Sequence, residues 1–312
     1  MKQLSLESFN QARHFLKTQA RPLDRALFEH RFEGAPTGTV LSELAPFQNP
    51  DGGFGQALEP DLRSPSSSAL ATGIGLRLLK ELGCSSDHPM VHRAVGYLLT
   101  TFDPQRHVWR VAPDDVNEYP HAGWWHDEEG GLARTFDGFR VIPRAELVGL
   151  LHHYASLVPA AWLADLTERT VADVETIETL GTGGGDTLVY ALSLAETQEL
   201  PGPLQERLSA RIRSVVPQAV SRDPGEWGTY CITPLKVAPS PASIVADLLG
   251  DALQMHLDYQ IDQQTPAGTW DPVWSWGDAY PLAWEEARRE WRGHLTLETL
   301  TSLRAFGRLK VA

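Results

Sequence analysis

Only two cysteines occur in 312 residues, Cys84 and Cys231, far apart and in no CxxC pair. They offer no disulfide framework, and a chain this long can bury a core without one, so a reducing, cytoplasmic compartment is the simplest expectation. Long apolar runs are missing too: none approaches the ~18 residues of a membrane span. The opening stretch MKQLSLESFNQARHFLKTQA has no apolar signal core and contains Glu7, so it reads as a first helix and not as a targeting segment. Basic charge is in deficit, with 27 Lys and Arg against 40 Asp and Glu. With a net charge of −13 and no basic stripe, a general nucleic-acid partner is not expected. An anionic ligand held by local arginines or a metal ion is not excluded by that balance. Strand signals are few and short.

Helical periodicity fills the space these absences leave. SLESFNQARHFLKTQA puts Phe9, Ala12, Phe15 and Leu16 on one face behind a Ser5 cap. RPLDRALFEHRFE follows Pro22. SSSALATGIGLRLLKELG aligns Leu70, Ile74, Leu78 and Leu82 and stops at Gly83. IPRAELVGLLHHYASLVP, PLQERLSARIRSVVPQAV, PSPASIVADLLGDALQMHLDYQ and GHLTLETLTSLRAFGRLKVA read the same way. The expected fold class is all-α.

The helices carry a loose internal repeat. FQNPDGGF, a polar connector and an apolar helix recur as QQTPAGTW, a connector and GHLTLETLTSLRAFGRL. SRDPGEWGTYCITP is a third copy and TFDPQRHVWRVAPDD a degenerate fourth. A helix pair cannot bury both its faces, so pairs of this kind must stack. Glycine permits the tight turn, and the aromatic after it wedges between helices. An array of such hairpins can close into a ring with its connectors gathered at one end. No composition break divides residues 1–312, which read as one domain. GTGGGD (181–186) is the most flexible-looking segment; it lacks the residues of a phosphate loop.

FQNPDGGFG and YQIDQQTPAGTW resemble the Gln-Trp repeats of squalene and oxidosqualene cyclases, and GGFGQALEPDLRSPSSSALAT is similar to the repeats of protein prenyltransferase β subunits. The resemblance covers residues 47–83 and 258–308 best. It implies an (α/α) toroid and a small, single-domain, isoprenoid-processing relative of the class II terpenoid cyclases. It also implies that Asp51, Gly52, Gly53, Phe54, Gln264, Gly268 and Trp270 are scaffold, while the connectors line a cavity. The Asp-x-Asp-Asp acid run of the cyclases is absent, as is the zinc-binding context of the prenyltransferases around Cys231.

Seven of the ten tryptophans cluster at Trp124–Trp125 and between Trp270 and Trp291. Among the connectors, Glu59 and Asp61 are the first acids to weigh as proton donors, because a carboxyl kept neutral by burial or by a second carboxylate can protonate an alkene or epoxide. Arg63 can steady the partner carboxylate; a helix cap plus an ion pair is the structural alternative. Asp114 and Asp115 are the second choice of acid. With Glu118 they spell Asp-Asp-x-x-Glu, which resembles a magnesium-diphosphate motif, although Pro113 and Pro120 bracket it as a loop. Mg²⁺ is then expected only with a diphosphate substrate, and no resident metal otherwise; a zinc site from His121, His126, His152 and His153 matches no usual ligand spacing. His121, Trp124, Trp125, Trp274 and Trp276 are the expected substrate contacts, through cation–π stabilisation of a carbocation or stacking on a sugar. Three readings follow: an isoprenoid cyclase with a small-molecule substrate, a carbohydrate-active enzyme or sugar binder using the same acids and tryptophans, and a non-catalytic scaffold. An apolar cavity favours the first, a polar cleft with paired acids the second, and a filled centre the third. Oligomeric state is left open.

Overall fold

The computed structural model describes residues 1–310. Helices dominate them, and extended backbone occurs only as isolated bridges. The helices are α1 (Leu6–Thr18), α2 (Pro22–Glu33), α3 (Thr37–Leu44), α4 (Ala69–Glu81), α5 (Pro89–Thr101), α6 (Gly131–Thr135), α7 (Arg144–His153), α8 (Ala160–Thr176), α9 (Asp186–Ala195), α10 (Gly202–Ala219), α11 (Pro234–Val237), α12 (Ala246–Asp262) and α13 (Pro281–Ala305). No helix is long and apolar enough to cross a membrane among these residues.

Local signals set most of the boundaries. Ser5 and Ser68 cap α1 and α4 by accepting from Ser8 and Ala71 N–H groups. Two expectations shift. The stretch 239–245 is not helical, because the prolines in Pro-Ser-Pro remove N–H donors and restrict the residues before them; α12 begins only at Ala246. The last helix begins at Pro281, a dozen residues before its apolar period becomes visible, because its first turns are charged; Val311 and Ala312 lie outside the described residues.

Helices pack as hairpins. One series of neighbours runs α13–α2, α4–α7, α7–α9 and α9–α11, and the Arg31–Glu81 ion pair, 2.6 Å, links α2 to α4. A second series, α1, α3, α5, α8, α10 and α12, lies against it: α1 and α3 on α2, α5 on α4, α8 on α7, α10 on α9 and α12 on α11. In the first series α7 is buried almost all round, as a helix enclosed by others must be.

The repeated turn is a stitch whose bonds recur one for one. Gln48 Nε2 donates to Gly52 O at 2.9 Å and to Met90 O, at the start of α5, at 2.9 Å. Gln264 Nε2 donates to Gly268 O at 3.1 Å and to Ser8 O, in α1, at 2.9 Å. Phe54 N–H donates to Thr72 Oγ1 in α4, and Trp270 N–H to Thr296 Oγ1 in α13. Trp109 and Trp270 reach back alike, each indole N–H donating to a carbonyl in the last turns of α5 or α12 (Leu98 O, 2.7 Å; Gln260 O, 2.8 Å). An internal turn thus grips the next helix of its series, and the last turn grips the first helix of the chain. The bridge between Leu4 and Leu309 adds a second tie between the ends.

The stitch needs glycine at its closest approach. At Gly268 φ is +83°, and a Cβ would lie 2.4 Å from the carbonyl carbon of Gln11. Gly34 also has a positive φ but faces open space. Gly268→Ala is therefore expected to cost about 2–4 kcal/mol, against about 1 kcal/mol for Gly34→Ala, in urea denaturation of the two variants; equal losses would remove close approach as the reason for Gly268.

Candidate functional site

Beyond the first stitch the connector folds tightly. Gln56 and Ala57 adopt positive φ, 56° and 58°, and Leu62 N–H bonds back to Glu59 O at 3.1 Å. A short extended pairing then fixes its direction: Ala122 N–H donates to Asp61 O at 3.0 Å and Arg63 N–H to Pro120 O at 3.1 Å. On its other side, Arg21 Nη1 holds Leu58 O at 3.2 Å while two further guanidinium bonds grip buried Asp24. The acids between these ties have little freedom to move.

Asp61 is 2% exposed and accepts three indole N–H groups. Trp276 and Trp291 donate to Oδ1 at 2.8 Å each, and Trp274 donates to Oδ2 at 3.1 Å. Indole can only donate, so the arrangement calls for an acceptor on every contact. Burial leaves the Asp61 carboxyl above its ordinary value, although the three indoles and the Arg63 charge pull against it. With both oxygens taken by donors, we assign the negative charge of this pair to Asp61.

Glu59 is its opposite. It is half-buried, and burial first and the Asp61 charge second push its carboxyl up to about 8, against the pull of the Asp61 backbone N–H, Arg21 and Arg77. Of two coupled acids, one is fixed as a carboxylate by indoles and the other is left to hold a proton.

Several charged side chains act on Glu59 and on one another. Arg77 of α4 is ion-paired to Glu146 of α7, yet half its side chain (51%) remains open to solvent. It also responds to Tyr190 of α9 and Glu298 of α13. His294 belongs to the same group: burial lowers its pKa, keeping the ring neutral, and Glu298, Asp24, Arg21 and Arg77 act on it. Burial pushes Glu298 upward, but the Arg31 charge, joined by His294 where acid protonates its ring, outweighs it and holds the carboxyl below its ordinary value.

The remaining expected residues disperse. Arg63 pairs with Glu290 and Glu286 of α13, at 2.5 and 3.0 Å. Asp115 accepts the hydroxyls of Ser64 (2.8 Å) and Ser66 (2.7 Å), whereas Asp114 is almost fully exposed beside Arg110 and Glu118 is exposed on a single 3-10 turn. These acids do not converge, and among the described residues no group of three His, Cys, Asp or Glu side chains is arranged to hold a metal ion. His121 and His126 stack at 5.3 Å and share a 3.1 Å hydrogen bond. His152 instead bonds Thr167 and His153 bonds Glu199, away from that pair. Trp125 is buried against Phe136, and Trp124 is exposed. Trp274 and Trp276 are at the centre of the site, through Asp61. A groove of about 790 Å³ lies on the other side of the connector, lined by Asp51, Ser66, Ser67, Tyr97, Arg110 and Asp115. Its size is set by the loops at its rim, and it contains neither Glu59 nor Asp61.

No family model matches this chain, and no curated protein or solved structure matches it. The site must be read from its own geometry. Sequence reasoning missed Trp291, Glu290, Arg21 and the Arg77–Glu146–Glu298 set. One signal was there: Arg77 and Glu146 each interrupt an apolar helical row, GLRLLK and RAELVGLL, and a charge in such a row requires a partner.

If Asp61 is the acceptor that holds the connector to α13, Asp61→Asn turns an amide N–H toward an indole N–H. Stability is expected to fall by about 2–4 kcal/mol, and by about 1–3 kcal/mol in Trp291→Phe, by urea denaturation. An Asp61→Asn variant as stable as the parent would show that the indoles do not depend on the carboxylate.

Proposed function

We propose that this chain is an (α/α) toroid whose connector end carries a polar, acid-catalysed site, and that it hydrolyses glycosidic bonds in a neutral oligosaccharide. Ring closure is supported by the stitch at Gln264, which treats α1 as the next helix after α12. The observation that carries the chemistry is the split pair: Glu59 retains a proton near neutral pH beside Asp61, whose charge is fixed.

A proton donor of this kind serves either a glycosidic oxygen or a carbon–carbon double bond. The lining favours the first. Arg21, Arg77, Glu146, His294 and Glu298 act on Glu59 or on one another, and placing a hydrocarbon chain against them would strip water from charges with nothing in return. Sugar hydroxyls replace that water by donating to the carboxylates and accepting from the guanidiniums. An excess of acids over bases there, including Glu286 and Glu290 beside Arg63, favours a neutral sugar over a uronate or a diphosphate. In the reaction Glu59 gives its proton to the glycosidic oxygen as the C–O bond breaks. Water adds at the anomeric carbon, and its proton passes to one of the carboxylates that flank Arg77, Glu146 or Glu298.

The test is reducing-end release from gluco-, xylo- and manno-hexaose, run beside product analysis with squalene and with prenyl diphosphates with and without Mg²⁺. Glu59→Gln is expected to lower sugar hydrolysis about 10²–10⁴-fold. Isoprenoid turnover without sugar turnover would return the assignment to the cyclase reading. The rate should fall as pH rises through the raised pKa of Glu59. Stability should follow the same sense: below the ordinary carboxyl value, 4.5, both states are protonated. Above it the folded state holds the extra proton, so stability is lost as pH rises. Glu59→Gln should remove that loss and leave the variant the more stable at pH 8. A parent whose stability is flat between pH 5 and 8 would contradict a neutral Glu59.

A further inference from the structure

The His121–His126 pair has no part in the chemistry above, yet its bonds fix where one proton must be missing. His121 is 3% exposed, and its Nδ1 stands 2.6 Å from Tyr119 O. A carbonyl only accepts, so Nδ1 carries a proton and Nε2 is left as the acceptor of the neutral ring. That Nε2 meets His126 Nδ1 at 3.1 Å, with the two rings parallel to within 9°. His126 must therefore donate through Nδ1. Its own Nε2 faces Glu128 Oε1 at 3.2 Å, an acceptor for a second proton on that ring. The bond between the rings thus depends on a bare His121 Nε2. A proton added there would set two N–H groups head to head.

His121 also stands where three segments meet. Its backbone pairs with Leu62 of the first connector, and on either side Ala122 N–H donates to Asp61 O at 3.0 Å and Arg63 N–H to Pro120 O at 3.1 Å. Its ring lies 5.6 Å from that of Tyr280, the residue at φ +48° from which α13 starts. The charged and titratable groups on these segments are Glu128 from its own loop, Asp61 and Arg63 from the connector, and Tyr280 before α13. Glu128 is bonded to His126, Asp61 is occupied by three indoles, and Arg63 carries a like charge. A cation formed on buried His121 would lack both water and a ready acceptor, and such a charge is costly.

We propose that the His121–His126 bond is an acid-sensitive latch: uptake of a proton at His121 Nε2 parts the two rings and releases the 119–126 loop from the connector and from Tyr280. Histidine changes its charge between about pH 5 and 8, and the half-open side chain of His126 gives the pair a route to solvent. The latch is independent of the glycosidase reading and acts on the connector whatever reaction takes place there. Its sense is opposite to that of Glu59. Stability held by Glu59 is lost as pH rises, whereas the latch opens as pH falls.

The test is amide hydrogen exchange of the full chain at about pH 8 and about pH 5, corrected for the intrinsic pH dependence of exchange. Segments 59–64 and 117–127 are expected to lose about tenfold or more in protection at the lower pH, while α7 stays within about threefold. His126→Asn, whose amide can turn a donor or an acceptor toward His121, should keep both segments within about threefold. His121→Ala should leave them open at both pH values. Nitrogen NMR of the histidine rings in the parent chain reads the same event without a substitution: His121 Nε2 should be bare at pH 8 and gain its proton as protection falls. Equal protection of the two segments at both pH values would overturn the latch. So would a loss as large in α7, a His126→Asn protein that opens as the parent does, or a His121 protonated at Nε2 while the segments stay protected.

Discussion

A single carboxylate holding three indoles is the constraint on which the connector end depends. Asp61 lies in the first long connector, while Trp274 and Trp276 lie in the last and Trp291 projects from α13. These segments are more than two hundred residues apart in sequence, and Leu62, Trp276 and Ala287 also join them in one apolar cluster. Each indole bond to a charged, water-excluded acceptor is stronger than a neutral one. A single misplaced partner would leave a buried N–H or a buried charge unmet, which is the more expensive error. The geometry is therefore all-or-none, and it fixes where Glu59, two residues away, must stand.

That position sets the charge of Glu59. Two carboxyls in adjoining, partly desolvated places cannot both ionise cheaply, and whichever finds donors keeps the charge. The tryptophans settle the question for Asp61. Arg21 and Arg77 act on Glu59 from a distance and do not overcome its burial and its neighbour. The same residues that brace the connector thus set up an acid, and stability and chemistry are coupled at one place. Removing the brace would also remove the electrostatic reason for the proton.

Parts of this were legible in the sequence. The Gln-turn-Gly-aromatic stitch was, because its requirements are local: glycine where a Cβ would strike the next helix, an amide that can reach two carbonyls, and an aromatic to fill the gap. Glu59 and Asp61 stood out as two acids in one connector, but their division of labour did not, since the donors that impose it come from the far end of the chain. Trp291 was missed because α13 begins in a charged stretch where no apolar period announces it. Trp124 and Trp125 read as cavity aromatics because they are paired and sit among turn residues. The structure buries one in a local cluster with Leu62, Val111 and Leu132 and leaves the other exposed, and sequence spacing carries no information about that choice. The Asp114-Asp115-Glu118 spelling matched a motif that works on a continuous helix; in a loop the three carboxylates point apart.

The repeats also explain where variation was free to enter. Where the stitch is intact, at Gln48 and Gln264, the turn grips its neighbour through backbone carbonyls, and its glutamine, proline, glycine and aromatic recur. The turn near Ser221 keeps a tryptophan that bonds back to Ser221 O but has no glutamine stitch, and the segment before α9 keeps only glycines. Stacked hairpins share their stability among neighbours, so two weakened joints between well-tied ones cost little. Those two joints carry Tyr230 and Asp186, which bond to each other. A scaffold tied through its own backbone at some positions can leave others to side-chain bonds, and the division falls between the regular turns and the irregular ones.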